Sequence, residues 1–495
     1  MRCVIAIIVC IAAGVSVRAA EVAPKEDERA LLHNPDMGWV LYENYPVDQS
    51  PGGSSSLVSL PKEDFAGVDD VAVMFAWSDV EPREDHYDFS KVDYACDYWK
   101  KRGKRIQLRM STETLLWWNR SKPPSGVGVP QYVLDRLPPG KVQTRKEEGF
   151  EYAVVDARDV FYRQRLEKFL AAVAVHFADD TRPVDLVDLR GYGLWGEWHR
   201  GFRFANLEDR RAALCGIIDR FSAAFPRNWL ALSFSYDPDG PAEYYAGPTD
   251  RFDAAYTDHY QDFVRFSAFD YAMTKSNITL RRDGVGGAVH SNERKLCDQA
   301  FATRAKGPIM CEFAGGYAES KAGDVGWIPF KINDALSLHP NYINLLGYES
   351  GDALAFMRER RALFERGLRE MGYRLLPTKI LYPDTISAGK TFTIESTWVN
   401  RAVGRAMRDF HLIVRLLRDD GSVAAEADAG ALPTGKWIKS ETYAVRTKVS
   451  FNSVAAGNYV LAIALRDPRD GGPISLPLCD GDRAGGYRIA VVAVH

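Results

Sequence analysis

Between about Asn34 and Leu375 this chain repeats one unit, a short apolar run followed by a longer amphipathic stretch. The runs Trp39–Tyr42, Val71–Trp77, Arg105–Met110, Val184–Gly193, Leu230–Ser235, Ile278–Arg281, Ile309–Phe313 and Tyr342–Gly347 read as strands. Between them Lys91–Arg102, Val160–Phe177, Leu207–Phe225, Glu293–Ala305 and Pro329–Leu338 carry apolar residues at helical spacing. Strands alternating with helices form a parallel sheet, and eight strands close a barrel. The sequence therefore predicts an α/β protein built on a (β/α)8 TIM barrel, and a chain that is 46% hydrophobic has ample material for its core.

After Leu376-Pro377 the helical period stops. Short alternating segments appear at Lys379–Leu381, Thr391–Val399, His411–Leu417, Glu441–Val449 and Tyr459–Leu465, separated by turn sequences such as Asp419-Asp420-Gly421. This texture predicts an immunoglobulin-like β-sandwich. The expected division is a barrel over 20–376 and a sandwich over 377–495, with the boundary near 374–378.

At the N-terminus Arg2 precedes an apolar run from Val4 to Val17, and Val17-Arg18-Ala19 places small residues where a signal peptidase reads. Residues 1–19 are thus expected to be a signal peptide, with a periplasmic or extracellular mature protein. No later stretch has the roughly 18 uninterrupted apolar residues of a membrane helix, so membrane insertion is not expected. Losing Arg2 and Arg18 moves the formal charge from -3 to -5, which argues against nucleic acid as a partner. Five cysteines remain, Cys96, Cys215, Cys297, Cys311 and Cys479, without paired spacing, so they read as free thiols. No CxxC, HExxH or histidine cluster calls for a metal, and no cofactor is expected. Oligomeric state is not legible.

Two of the strand candidates lead to a glutamate set among glycine and aromatic residues: Tyr192-Gly193-Leu194-Trp195-Gly196-Glu197-Trp198-His199 and Pro308-Ile309-Met310-Cys311-Glu312-Phe313. Barrels keep their chemistry at the C-terminal ends of their strands. A pair of carboxyl groups there suits glycoside hydrolysis, where one protonates the leaving oxygen and the other attacks the anomeric carbon. Trp195 and Trp198 flank Glu197 with apolar faces that favour the protonated acid. Glu312 precedes Phe313-Ala314-Gly315-Gly316, whose small residues leave room for a sugar ring. The expected roles are acid/base for Glu197 and nucleophile for Glu312.

A wider resemblance agrees with this reading. The segment from Phe75-Ala76-Trp77-Ser78-Asp79-Val80-Glu81-Pro82 through Tyr87-Asp88-Phe89-Ser90 to Gly103-Lys104-Arg105-Ile106-Gln107-Leu108-Arg109 resembles the second and third barrel units of clan-A glycoside hydrolases, families 42 and 35. The opening Asn34-Pro35-Asp36-Met37-Gly38-Trp39 and the C-terminal module resemble bacterial families of unknown function that pair such a barrel with a β-sandwich. The resemblance implies an acid/base after strand 4 and a nucleophile on strand 7, which fall on Glu197 and Glu312. It also implies an asparagine directly before the acid/base, in contact with the sugar 2-hydroxyl, where this chain has Gly196.

The candidate sugar contacts are Trp77, Arg109, Trp117, Trp118, Trp195, Trp198, His199 and Trp327, with Arg109 also placed to orient Glu312. Asp283 reads equally as a turn residue or a ligand contact, and Glu81 as a cap or ion-pair partner. The leading function is a secreted retaining glycoside hydrolase acting on a carbohydrate substrate. The alternative is a non-catalytic carbohydrate-binding protein on a glycosidase-like barrel, for which Gly196 is the main argument.

Overall fold

The computed structural model describes residues 19–43, 62–113, 128–147, 150–178, 184–234, 265–287, 306–323, 327–347, 350–479, 481 and 486–495. The predicted helix Glu293–Ala305 lies outside these residues.

All eight strand candidates pair in parallel. They are β1 (Gly38–Glu43), β2 (Asp70–Ala76), β3 (Arg105–Ser111), β4 (Val184–Arg190), β5 (Trp229–Phe234), β6 (Ile278–Val285), β7 (Met310–Phe313) and β8 (Tyr342–Asn344). Each pairs with its successor and β8 returns to β1, which closes the barrel. The main helices around it are α1 (Ser90–Lys100), α2 (Val160–His176), α3 (Leu207–Ala224), α4 (Trp327–Leu336), α5 (Ser350–Glu359) and α6 (Arg361–Glu370).

Alternation along each strand divides its side chains between two environments. Outward residues such as Val71, Val73, Phe75, Leu108, Met110, Val187, Leu189, Cys311 and Phe313 join the large cluster shared with the helices. Against it α2 turns Tyr162, Leu166, Phe169, Leu170 and Val173, a helical stripe. Two helices start on side-chain caps: Asp159 accepts from Tyr162 N at 3.0 Å, and Asn206 from Asp209 N at 2.8 Å. The inward set is different in kind. Val40, Tyr42, Ala72, Leu186, Ala231, Met310 and Tyr342 form a small apolar cluster, and the remaining inward positions include buried Arg109, Asp188, Arg190, Arg281 and Glu312. A charged layer therefore occupies the end of the barrel where the strands finish.

Two insertions depart from the repeat. A hairpin of Val142–Glu147 and Phe150–Val155 stands between β3 and α2. The segment Arg401–Met407 belongs with Leu31–Arg374, and Asn341 Nδ2 donates to Asp36 O and Arg405 O, each at 2.8 Å.

The second unit holds Leu375–Asn400, Arg408–His495 and the described residues before Leu31. One sheet has four antiparallel strands, Ala19–Val22, Leu375–Pro383, Phe392–Asn400 and Thr442–Val449. The other is built on His411–Leu417, Val423–Ala431, Gly457–Arg466 and Gly486–Val494, with Thr385–Ile386 and Pro473–Ile474 at its margins. Residues 20–30, assigned above to the barrel, group with these sheets instead, because Ala19–Val22 pairs with Ile380–Pro383. Among the described residues Cys96, Cys215, Cys311 and Cys479 form no disulfide.

Candidate active site

Glu312 is the third residue of β7 and faces inward, on the same side as Met310. Its Oε2 accepts from Tyr42 Oη at 2.6 Å, from Arg109 Nη2 at 3.1 Å and from Arg281 Nη2, while Arg190 Nη2 stands at 3.7 Å. Such a set of donors favours the ionised carboxylate. Among the described residues no hydrogen bond falls on Oε1.

The three arginines come from β3, β4 and β6 and share one buried counter-ion. Asp188 Oδ2 lies 2.7 Å from Arg190 Nε, 3.3 Å from Arg281 Nη1 and 3.4 Å from Arg109 Nε. The Arg109 guanidinium carbon also lies over the Tyr42 ring, 3.8 Å from its centroid. Burial pushes the Tyr42 hydroxyl up to about 12, so at neutral pH it remains a donor.

Glu197 sits on the loop after β4. This loop is contorted: Gly193, Trp195, Gly196, Trp198 and Arg200 all have positive φ, the three non-glycines at 54–66°. A bulky residue in that region is strained, and such strain persists only where surrounding contacts impose it. Here Leu194 N donates to His199 O at 2.8 Å, Trp198 Nε1 to Leu189 O at 2.8 Å and Tyr192 Oη to Phe202 O at 3.0 Å. Buried Glu113 accepts from Gly193 N and, at 2.8 Å, from Val155 N, tying the loop to the inserted hairpin. At Gly196 a Cβ would stand 2.4 Å from Arg190 Cβ and 2.8 Å from its backbone oxygen. The asparagine that the resemblance implies has no room there, because Arg190 fills the space.

One oxygen from each of Glu197, Asp283 and Glu312 lies within 4.8 Å of the others. Three carboxylates at that spacing resemble a cation site, but Arg281 Nη2 already contacts all three, at 3.0 Å from Asp283 and 3.7 Å from Glu197, where a metal would be repelled. The pair Glu197–Asp283 divides one proton unequally. Burial, reinforced by the charge on Asp283, pushes Glu197 up to about 7. Burial also acts upward on Asp283, but Arg281, a hydrogen bond from Glu197 and the Gly284 amide outweigh it and hold that carboxyl below its ordinary value. Of the two, Glu197 is the group that holds a proton more readily. His199 Nε2 stands 3.5 Å from the other Glu197 oxygen.

The structure thus brings together Glu197, Glu312, Arg109 and His199, and leaves Trp195 partly exposed beside them, its ring 5.7 Å from that of His199. Trp327 is 38% exposed on α4, anchored by Nε1 to Gly286 O at 3.0 Å and stacked on Phe330. Two expectations need correcting. Trp77 is fully buried at the start of the short helix Trp77–Val80 that follows β2, stacked on Phe169, with Nε1 donating to Glu81 at 2.7 Å, so it cannot wall a sugar site. Trp198 is buried beneath its own loop through the Leu189 bond and serves the loop, not the ligand. Trp117 and Trp118 lie outside the described residues. Glu81 is the buried ion-pair partner of Arg165. Missed at the sequence level were Tyr42, Asp188, Arg190, Arg281 and the loop anchor Glu113, while Asp283, read as a turn residue or a contact, belongs to the carboxylate cluster.

A closed parallel barrel with a carboxylate cluster at the ends of its strands defines the class. Within it, residues 63–182 match the family model described as β-galactosidase, glycoside hydrolase family 42. No curated protein matches the sequence. Among solved structures, the chain is similar to endo-glycoceramidase II from Rhodococcus sp., with 14% identity over 86% of this chain and 100% of that chain, at a TM-score of 0.43. It is also similar to an exo-β-1,4-mannosidase from Opitutaceae bacterium strain TAV5, with 13% identity over 69% of this chain and 63% of that one, at 0.41. Xylanase 10B from Thermotoga maritima is a further neighbour, with 12% identity over 63% of this chain and 83% of that one, at 0.37. The family match supports a glycosidase. The matched segment spans β2 and β3 and stops before β4, so neither glutamate is inside it.

Proposed function

We propose that the protein is an exported retaining glycoside hydrolase with Glu197 as acid/base and Glu312 as nucleophile. The observation that supports the reading is that one oxygen of each carboxylate lies within 4.8 Å of the other, a close approach compatible with the about 5 to 5.5 Å between carboxyl groups of retaining enzymes. A wider gap, upward of ~6.5 Å, would leave room for the water of an inverting reaction. Glu312, ionised among Tyr42, Arg109 and Arg281, attacks the anomeric carbon through Oε1 as protonated Glu197 gives its proton to the leaving oxygen. Glu197 then takes a proton from the water that releases the sugar.

The matched family's description makes β-galactosides the first substrates to try. A panel of aryl glycosides and polysaccharides tests the reading, with NMR following the anomer formed first. Turnover with retained configuration is expected. Inverted product would remove the nucleophile role, and sugar binding without any turnover would leave the non-catalytic carbohydrate-binding protein in its place.

With Glu197 pushed up to about 7, the acid form is full at lower pH and is lost as pH rises through that value. On a substrate with a poorly activated leaving group, kcat/KM should fall about tenfold per pH unit beyond this limb. Asp283→Asn removes the second cause of the shift and should move the limb to lower pH, with burial still holding it above an ordinary glutamate. A limb that stays put in Asp283→Asn would assign it to another group.

Export is part of the proposal. A mature chain beginning at Ala20 keeps the pairs Ala20↔Tyr382, Glu21↔Leu381 and Val22↔Ile380, so cleavage after Ala19 leaves the edge strand in place. Intact mass of the exported protein should correspond to a start at Ala20 or Glu21. A chain that retains Met1 in the cytoplasm would end this part of the reading.

A further inference from the structure

Arg190 carries a donor that no described residue of the protein uses. Its Nε is bonded to Asp188 at 2.7 Å and its Nη1 to the Trp195 carbonyl, so two of its three nitrogens are fixed. The third, Nη2, is buried without a hydrogen-bond partner among the described residues, on a side chain only 2% exposed. It lies 3.5 Å from Glu197 Oε1 and 3.7 Å from Glu312 Oε2, distances that give attraction but no hydrogen bond. A buried unpaired donor costs about 1–3 kcal/mol, and this one is held by the contorted loop and by a glycine that yields its side-chain space to Arg190.

We propose that Arg190 Nη2 binds the hydroxyl next to the anomeric carbon of the substrate, which restricts the site to glycosides with a free 2-hydroxyl. The inference rests on the glycosidase reading of Glu197 and Glu312. In that reading the anomeric carbon must lie between the two carboxylates, and Nη2 stands within 4 Å of both. A group within its reach is therefore bonded to that carbon or to its immediate neighbour. On an aldose glycoside the choices are the glycosidic oxygen, which in this reading takes its proton from Glu197, the ring oxygen and the 2-hydroxyl. Donation to the ring oxygen would oppose the oxocarbenium charge, whereas bonds to the 2-hydroxyl strengthen in the transition state. An acetamido or deoxy group at that carbon offers no hydroxyl to accept the bond.

The test compares wild type, Arg190→Lys and Arg190→Ala on a 4-nitrophenyl glycoside and its 2-deoxy counterpart, using the sugar most active in the panel. The readout is the ratio of kcat/KM values within each protein, which a general loss of folded enzyme does not change. The wild type should prefer the 2-hydroxy substrate, and the ratio should fall at least about tenfold in both variants, as expected for one charge-assisted hydrogen bond. Arg190→Lys keeps the charge beside Asp188 and protects the test against misfolding of Arg190→Ala. An unchanged ratio, with both substrates slowed equally, would make Arg190 structural and overturn the proposal. Failure of the glycosidase reading shows itself separately, as no turnover of any aryl glycoside. Calorimetry with D-galactose and 2-deoxy-D-galactose then decides, with equal binding of the two overturning the proposal.

Discussion

Glu312→Ala is expected to lower turnover of aryl glycosides by at least about 10⁴-fold, because no covalent glycosyl intermediate can form without the carboxylate. The loss should be nearly independent of the leaving group. Glu197→Ala should behave differently, since an aryl leaving group that is already acidic needs little protonation. That variant should release a burst of phenol on activated substrates and then stall, its intermediate lacking a general base. Added azide, which needs no base, should restore turnover and yield a glycosyl azide of retained configuration. Azide rescue of Glu312→Ala with inverted product would be the complementary result. Rescue patterns exchanged between the two positions would exchange their roles, and equal residual activity in both variants would detach them from the chemistry.

The difference between the two glutamates follows from where the chain puts them. Glu312 is on a strand, inward by the alternation that sends Cys311 and Phe313 outward, and it meets donors from β1, β3 and β6. Glu197 is on a loop, close to Asp283, where burial and the charge on Asp283 raise its pKa to about 7.

Much of this was legible because the barrel repeats. The eight runs, their order and the ends that carry the glutamates follow from apolar periodicity. The same alternation held more than was drawn from it. Val71, Val73 and Phe75 share the outward face of β2, and Trp77, which opens the short helix Trp77–Val80 directly after the strand, joins the same outer cluster. Arg109 shares a face with Gln107, and Arg281 with Thr279 and Asp283, so an inward charged layer was encoded in strands that look merely irregular. What could not be read locally is which charges meet, since Asp188 and its three arginines come from three strands. Val423–Ala431 was missed for another reason. Its run of alanine, aspartate and glutamate has low strand propensity, and its pairing with His411–Leu417 imposes the conformation.

The convergence on Arg281 sets the second large effect. This side chain is fully buried and faces four carboxylates, Asp188 at 3.3 Å, Asp283 at 3.0 Å, Glu197 at 3.7 Å and Glu312. Arg281→Met keeps most of the stem volume and removes the charge, leaving buried acids to repel one another without their shared cation. Breaking a buried pair by removing one partner costs about 3–5 kcal/mol, and a loss of that size is expected in urea unfolding at pH 7. The pH dependence separates this cause from imperfect packing of the methionine. Without Arg281 the carboxyls around it have folded pKa values above those of the unfolded chain. The penalty is therefore absent below the unfolded value near ~4 and grows as pH rises from there toward the folded values. The gap between wild type and Arg281→Met should be widest at pH 7 and shrink by pH 5. A gap that does not change with pH would point to packing, and a variant as stable as wild type at pH 7 would mean that the acids do not depend on Arg281 to remain ionised.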